Sequence, residues 1–164
     1  MHWFLLILIC CQSLAGTDWA AQFELIAKGR GGSLDRHLMV VRHGRRMDAM
    51  VLVAPVTIRA PLGGLFGNLT FECLAAPVYN VGDGMQMDVL LKNEAGEHLV
   101  YTRYFDAGRH AEDRDWTLLS IPLDLPDAST SEIIIRLSGG PQGDLVADWL
   151  ALASVRLMRR TQSP

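Results

Sequence analysis

The sequence holds little cysteine, little net charge and no apolar run long enough to cross a bilayer. Three cysteines occur among 164 residues, two of them adjacent at Cys10-Cys11. If those two leave with a cleaved leader, Cys73 stands alone, and one cysteine builds neither a disulfide framework nor a thiolate metal site. The formal net charge is -3, without the basic excess expected of a nucleic-acid binder. One local basic cluster, Arg42-His43-Gly44-Arg45-Arg46, is the exception. No internal repeat, low-complexity linker or long amphipathic helix follows residue 17, which argues against helical architectures. The longest apolar run, Trp3 to Cys11, falls well short of the roughly 20 residues a spanning helix needs.

That run has the length of a signal-peptide hydrophobic region, and Ser13-Leu14-Ala15 supplies small residues for cleavage. The segment before it lacks Lys and Arg and offers only His2. Residues 1–16 are therefore expected to be a signal peptide or, alternatively, a membrane-anchor remnant. The expected location is extracytoplasmic, periplasmic or secreted, with membrane contact only through an uncleaved anchor. Residues 17–160 are expected to form one domain, with 161–164 a frayed tail.

What is present is apolar material in alternation. Hydrophobic residues make up 49% of the chain and charged ones 20%, enough for a core and too apolar for disorder. Leu69, Phe71, Cys73 and Ala75 share one strand face; Met85, Met87, Val89 and Leu91 share another. Thr117, Leu119, Ile121 and Leu123 follow the same rule, as do Ile133, Ile135 and Leu137. Shorter runs at Leu38–Arg42, Ala49–Ala54 and Val56–Ala60 precede them, and Asp148–Leu157 closes the series. Turn signals separate the runs: Pro61-Leu62-Gly63-Gly64, Gly82-Asp83-Gly84, Asn93-Glu94-Ala95-Gly96 and Gly139-Gly140-Pro141-Gln142-Gly143-Asp144. Asn93–Gly96 is close enough to make a hairpin. Short, evenly spaced strands predict an all-β, antiparallel, jelly-roll-like sandwich.

An ordered series of motifs carries a family resemblance. Asp113-Arg114-Asp115-Trp116 is followed by Pro122-Leu123-Asp124-Leu125, then Gly140-Pro141-Gln142-Gly143-Asp144, then Asp148-Trp149. This order resembles the C-terminal half of galactose-binding-like jelly rolls, especially carbohydrate-binding modules beside glycosidases and on bacterial envelope proteins. The resemblance covers about residues 50–157. It implies a non-catalytic binding or accessory role, with a glycan or an envelope protein as partner.

Side chains suited to a sugar site can be named. An indole or phenol face stacks on a pyranose while a carboxylate bonds its hydroxyls. Tyr79, in the loop Pro77-Val78-Tyr79-Asn80, Trp116 and Asp115 are the candidates. Trp116 and Trp149 serve equally as packing groups at the sandwich edges. Tyr101 and Tyr104 have opposite strand parity, so at most one points inward. Asp83 and Asp144 are candidate oxygen ligands for a structural calcium, which the resemblance allows, although no loop carries dense alternating aspartates. Turn formation explains both residues as well. No other cofactor is expected.

Two alternatives use the same residues differently. One is a structural or protein-docking domain with no small ligand. The other is enzymatic: Leu38–Arg45 resembles the strand and Arg-His-Gly signature of histidine phosphatases, with His43 as nucleophile and Arg42 and Arg45 as phosphate clamps. That reading requires an α/β fold and a second motif-bearing histidine. A plain hairpin with Gly44 at positive φ accounts for the tripeptide. Glu112, Asp113 and Asp115 read as solvated loop carboxylates, Met85 and Met87 as core filler, and Asn68-Leu69-Thr70 as a chance sequon.

Overall fold

The computed structural model describes residues 18–125, 131–143 and 147–159. Among these residues, ten strands form two five-stranded antiparallel sheets. They are β1 Glu24–Lys28, β2 Ser33–Arg42, β3 Arg45–Val53, β4 Val56–Pro61, β5 Gly67–Pro77, β6 Met85–Asn93, β7 Gly96–Phe105, β8 Thr117–Leu125, β9 Glu132–Gly139 and β10 Trp149–Arg159. One sheet has the order β1-β4-β9-β6-β7 and the other β2-β3-β10-β5-β8. The expected all-β jelly-roll sandwich is therefore the fold. The signal-segment residues 1–16 and the tail 161–164 lie outside the described residues.

Alternation builds the core between the sheets. Leu69, Phe71, Cys73 and Ala75 of β5 and Leu119, Ile121, Leu123 and Leu125 of β8 face Met85, Met87 and Val89 of β6 and Ile133, Ile135 and Leu137 of β9. Each of the Leu, Ile, Val, Phe and Met side chains among them, fully buried, stabilises the fold by about 1.5–3 kcal/mol. Met85 and Met87 are core filler, as their parity requires. Pro122 sits inside β8 because β8 is an edge strand, where a missing N–H leaves no ladder bond unmade. A one-turn helix α1, Trp19–Gln22, is capped by Asp18, whose Oδ1 accepts from the N–H groups of Ala20 (3.1 Å) and Ala21 (3.3 Å). It brings Trp19 and Phe23 onto the core, where Phe23 meets Phe71 edge to face.

One sheet has a second apolar layer, on its outer side. β3 pairs with β10 only from Val53↔Trp149 to Ala49↔Ala153. Beyond Ala49 it parts from β10 while staying paired with β2 as far as Arg42↔Arg45. The turn is two residues, His43 (φ 43°) and Gly44 (φ 77°). Two successive left-handed residues match the twist of the flanking strands, so the plain-hairpin expectation for this motif is what the chain does. Leu38, Val40, Met47 and Ala49 of the hairpin cluster with Leu74, Ala76, Ala151, Ala153 and Trp116. Met39 and Val41, of opposite parity, are exposed. The end of the hairpin thus lies over the outer face of its own sheet, and alanines beneath it permit the close approach.

Candidate functional site

The hairpin tip meets two loops at one end of the sandwich. Arg42 Nη2 donates to Asn80 Oδ1 at 2.5 Å. His43 Nδ1 stands 3.4 Å from Asp115 Oδ2. The Trp116 indole N–H points to the Arg45 carbonyl at 3.5 Å. β3 and β8 are three strand spacings apart in the sheet, about 14 Å. Only a hairpin folded across the sheet can make that contact. Desolvation lowers the pKa of Arg42, opposed in part by the nearby Asp115 charge. Arg42 Nε is buried without a hydrogen-bond partner among the described residues.

This arrangement sorts the three expected sugar-binding residues. Trp116 is 7% exposed and lies between hairpin and sheet, so its ring faces are occupied by protein. Asp115 accepts the Trp116 backbone N–H at Oδ1, 2.7 Å, and turns Oδ2 to His43. Tyr79 is 42% exposed and rests edge-on against Trp149, ring centroids 5.3 Å apart at 75°. Trp149 is half-buried, on the outer face of its sheet rather than between the sheets. The Tyr79–Trp149 pairing and the Asn80–Arg42 link had no signal in the sequence, since each joins residues far apart in the chain. Tyr101 packs against the inner core and Tyr104 is exposed, as their parity predicts.

The β7–β8 loop that presents Asp115 is rigidly held. Asp113 was expected in solvent without a defined partner; it is instead buried. Its Oδ1 binds Arg103 Nη2 at 2.6 Å and its Oδ2 accepts the Asp106 N–H at 2.8 Å. Burial of a carboxylate is tolerable only with such partners. Arg114 donates to the carbonyls of Ala107 (2.7 Å) and Gly108 (3.0 Å).

Asp83 is buried in its turn. Oδ2 accepts the Gln142 N–H at 2.6 Å, the Tyr104 hydroxyl donates to the Asp83 carbonyl, and Oδ1 has no hydrogen-bond partner among the described residues. The other expected calcium ligand, Asp144, lies outside the described residues. Among the described residues no three His, Cys, Asp or Glu side chains form a group able to hold a metal.

The phosphatase reading does not survive the fold. His43 sits at the turn of an antiparallel hairpin, and the described residues contain no parallel sheet with covering helices. Nor is any described helix long and apolar enough to cross a membrane.

A shallow groove of about 220 Å³ occupies the same outer face, beside β8, β5 and β10. Glu72, Leu74, Leu118, Ser154 and Arg156 line it.

Comparison with known proteins places the fold. No protein-family profile matches the chain. An uncharacterized protein of Archaeoglobus fulgidus is 31% identical over 68 residues, which is 42% of this chain and 17% of that protein; the chain thus matches less than a fifth of its curated relative. Solved structures superpose over most of the chain. The CBM22-1 and GH10 modules of Clostridium thermocellum endo-1,4-beta-D-xylanase 10B, complexed with xylohexaose, match 87% of this chain and 27% of that one at TM-score 0.55 and 13% identity. CBM51 from a Clostridium perfringens GH95 protein, complexed with methyl-galactose, matches 83% of this chain and 87% of its own at TM-score 0.52 and 14% identity. The CBM22-1 xylan-binding domain from Paenibacillus barcinonensis Xyn10C matches 85% and 87% at TM-score 0.55 and 8% identity. The fold is thus a jelly-roll sandwich similar to that of these carbohydrate-binding modules. At these identities the likeness is one of fold.

Proposed function

We propose that the chain is a non-catalytic glycan-binding accessory module working outside the cytoplasm, at the cell envelope. The observation that carries this reading is the aromatic pair at the hairpin end of the sandwich. Tyr79 is exposed, yet the edge contact with Trp149 fixes its ring. An aromatic already held in place loses little conformational freedom on binding. The next residue, Asn80, is tied to Arg42, so amide and guanidinium groups stand beside the ring as hydrogen-bonding partners for sugar hydroxyls. The folds similar to this one include modules solved with methyl-galactose and xylohexaose, which supports a sugar as the ligand class. Asp115 serves the site indirectly, by holding His43 at the hairpin tip.

The test is an array of neutral and acidic glycans probed with the purified domain, followed by calorimetric titration of the best binder. Wild type is expected to bind, and Tyr79→Ala to lose the affinity of the loop-end site while its melting temperature stays within a few degrees of wild type. A blank array, or unaltered binding by Tyr79→Ala throughout, sinks this site.

A further inference from the structure

The groove beside β8, β5 and β10 is made by one backbone irregularity. Ala153 pairs with Leu74 and Arg156 with Glu72, so Ser154 and Val155 together oppose Cys73 alone. This is a β-bulge. Ser154 takes left-handed φ, 52°, on an exposed residue with a Cβ. Backbone of that kind is held only where its surroundings impose it.

The groove's polar groups are already organised. Arg156 donates to Glu72 Oε2 through Nε (2.9 Å) and Nη2 (2.7 Å). Ser120 donates to Glu72 Oε1 at 3.2 Å. The Glu72 side chain is only 13% exposed, whereas that of Arg156 is largely exposed. Arg156 Nη1 and the Ser154 hydroxyl make no hydrogen bond with other described residues and are left to bond a ligand. Leu118, 58% exposed, and half-buried Leu74 give the groove its apolar part.

We propose that this groove is a second carbohydrate subsite, taking one neutral sugar ring; the proposal rests on the glycan-binding reading. The guanidinium and carboxylate cancel each other's charge, so the groove offers a donor and an acceptor without a net field. That favours a polyol over an anion. Arg156 Nη1 and Ser154 bond the hydroxyls, and Leu118 meets the C–H face of the ring. The folded-over hairpin covers the other part of this outer face, so the subsite lies in the part left open.

The test uses the full domain and a neutral oligosaccharide that binds it on the array. Three variants probe the groove: Arg156→Met keeps the aliphatic stem, Leu118→Arg fills the groove from an exposed position, and Ser154→Gly removes the hydroxyl while suiting the left-handed backbone. The expected result is amide chemical-shift changes at Glu72, Leu118 and Ser154 on titration, still present in Tyr79→Ala. Arg156→Met should weaken binding at the groove about tenfold, the loss of one charge-assisted contact, and Leu118→Arg should weaken it at least as much by filling the groove. Groove amides that stay still at saturation, with unchanged affinity in Leu118→Arg, overturn the subsite and leave the Tyr79 site standing. Binding of uronate or sialylated chains in the groove at equal strength overturns its neutral selectivity. A wild-type domain that binds no glycan overturns both readings together.

Discussion

The Trp116 indole N–H and the Arg45 carbonyl meet at 3.5 Å across 71 positions of sequence. The contact joins the strand at one side of a sheet to a hairpin rooted at the other, with Trp116 as the wedge between them. Trp116→Ala should therefore act on stability before it acts on binding. Truncating a buried Trp costs about 3–5 kcal/mol, read as a lower urea midpoint. Tyr79→Ala should cost no more than about 1 kcal/mol, roughly the worth of its single aromatic contact. A Trp116→Ala domain with wild-type stability would mean that the hairpin is not anchored there.

Asp113 and Arg103 form the polar clasp under the β7–β8 loop. Asp113→Ala leaves Arg103 without its partner and the Asp106 N–H unsatisfied. Removing one member of a buried pair costs about 3–5 kcal/mol. Arg103→Met,Asp113→Leu together should recover part of that loss in a denaturant titration. An additive double mutant would show that the two residues act independently.

Glycine is required at Gly84 for two separate reasons. Its φ is 88°, and an added Cβ would lie 2.7 Å from the Phe105 carbonyl oxygen. Gly31, at φ 84°, has open space around it. Gly84→Ala should thus destabilise much more than Gly31→Ala, for which about 1 kcal/mol of backbone strain is expected. Thermal melts of the two variants give the comparison directly.

Cys73 supplies a pH dependence. Burial pushes its thiol up to about 12, from an ordinary value of 9.0, with the Glu72 charge adding to the rise. The folded state keeps the proton where the unfolded state loses it. This contribution is therefore complete below pH 9.0 and declines as pH rises toward 12. Chemical denaturation across that interval should show stability falling with pH, and Cys73→Ala should flatten the slope. A thiol reagent at neutral pH should modify Cys73 only on unfolding.

Much of the sandwich could be read from alternation, because the inner faces of β5, β6, β8 and β9 are apolar at every second residue. β1 and the first half of β2 escaped that reading. Leu25 and Ile26 of β1 are both exposed, and Ser33-Leu34-Asp35-Arg36-His37 carries only one apolar residue. Edge strands with solvated faces leave no periodic trace. The site was legible only as residue types. Tyr79 was marked by its loop, but Trp116 as a wedge depends on the hairpin bending over the sheet. That bend arises where β3 parts from β10, a relationship between strands distant in sequence. The Ser154 bulge is likewise a mismatch of register, which no local pattern records.

The two sheets differ in what their outer faces show to the surroundings. On one, Arg59 links Glu24 and Glu132, Lys92 approaches Glu132, and Arg136 approaches Glu97. Such exposed pairs add little to stability and are screened by salt. The domain therefore has a front and a back. On the glycan-binding reading, a polymer would meet the sheet that carries the hairpin and the groove, and the ion-paired sheet would lie on the far side of the sandwich.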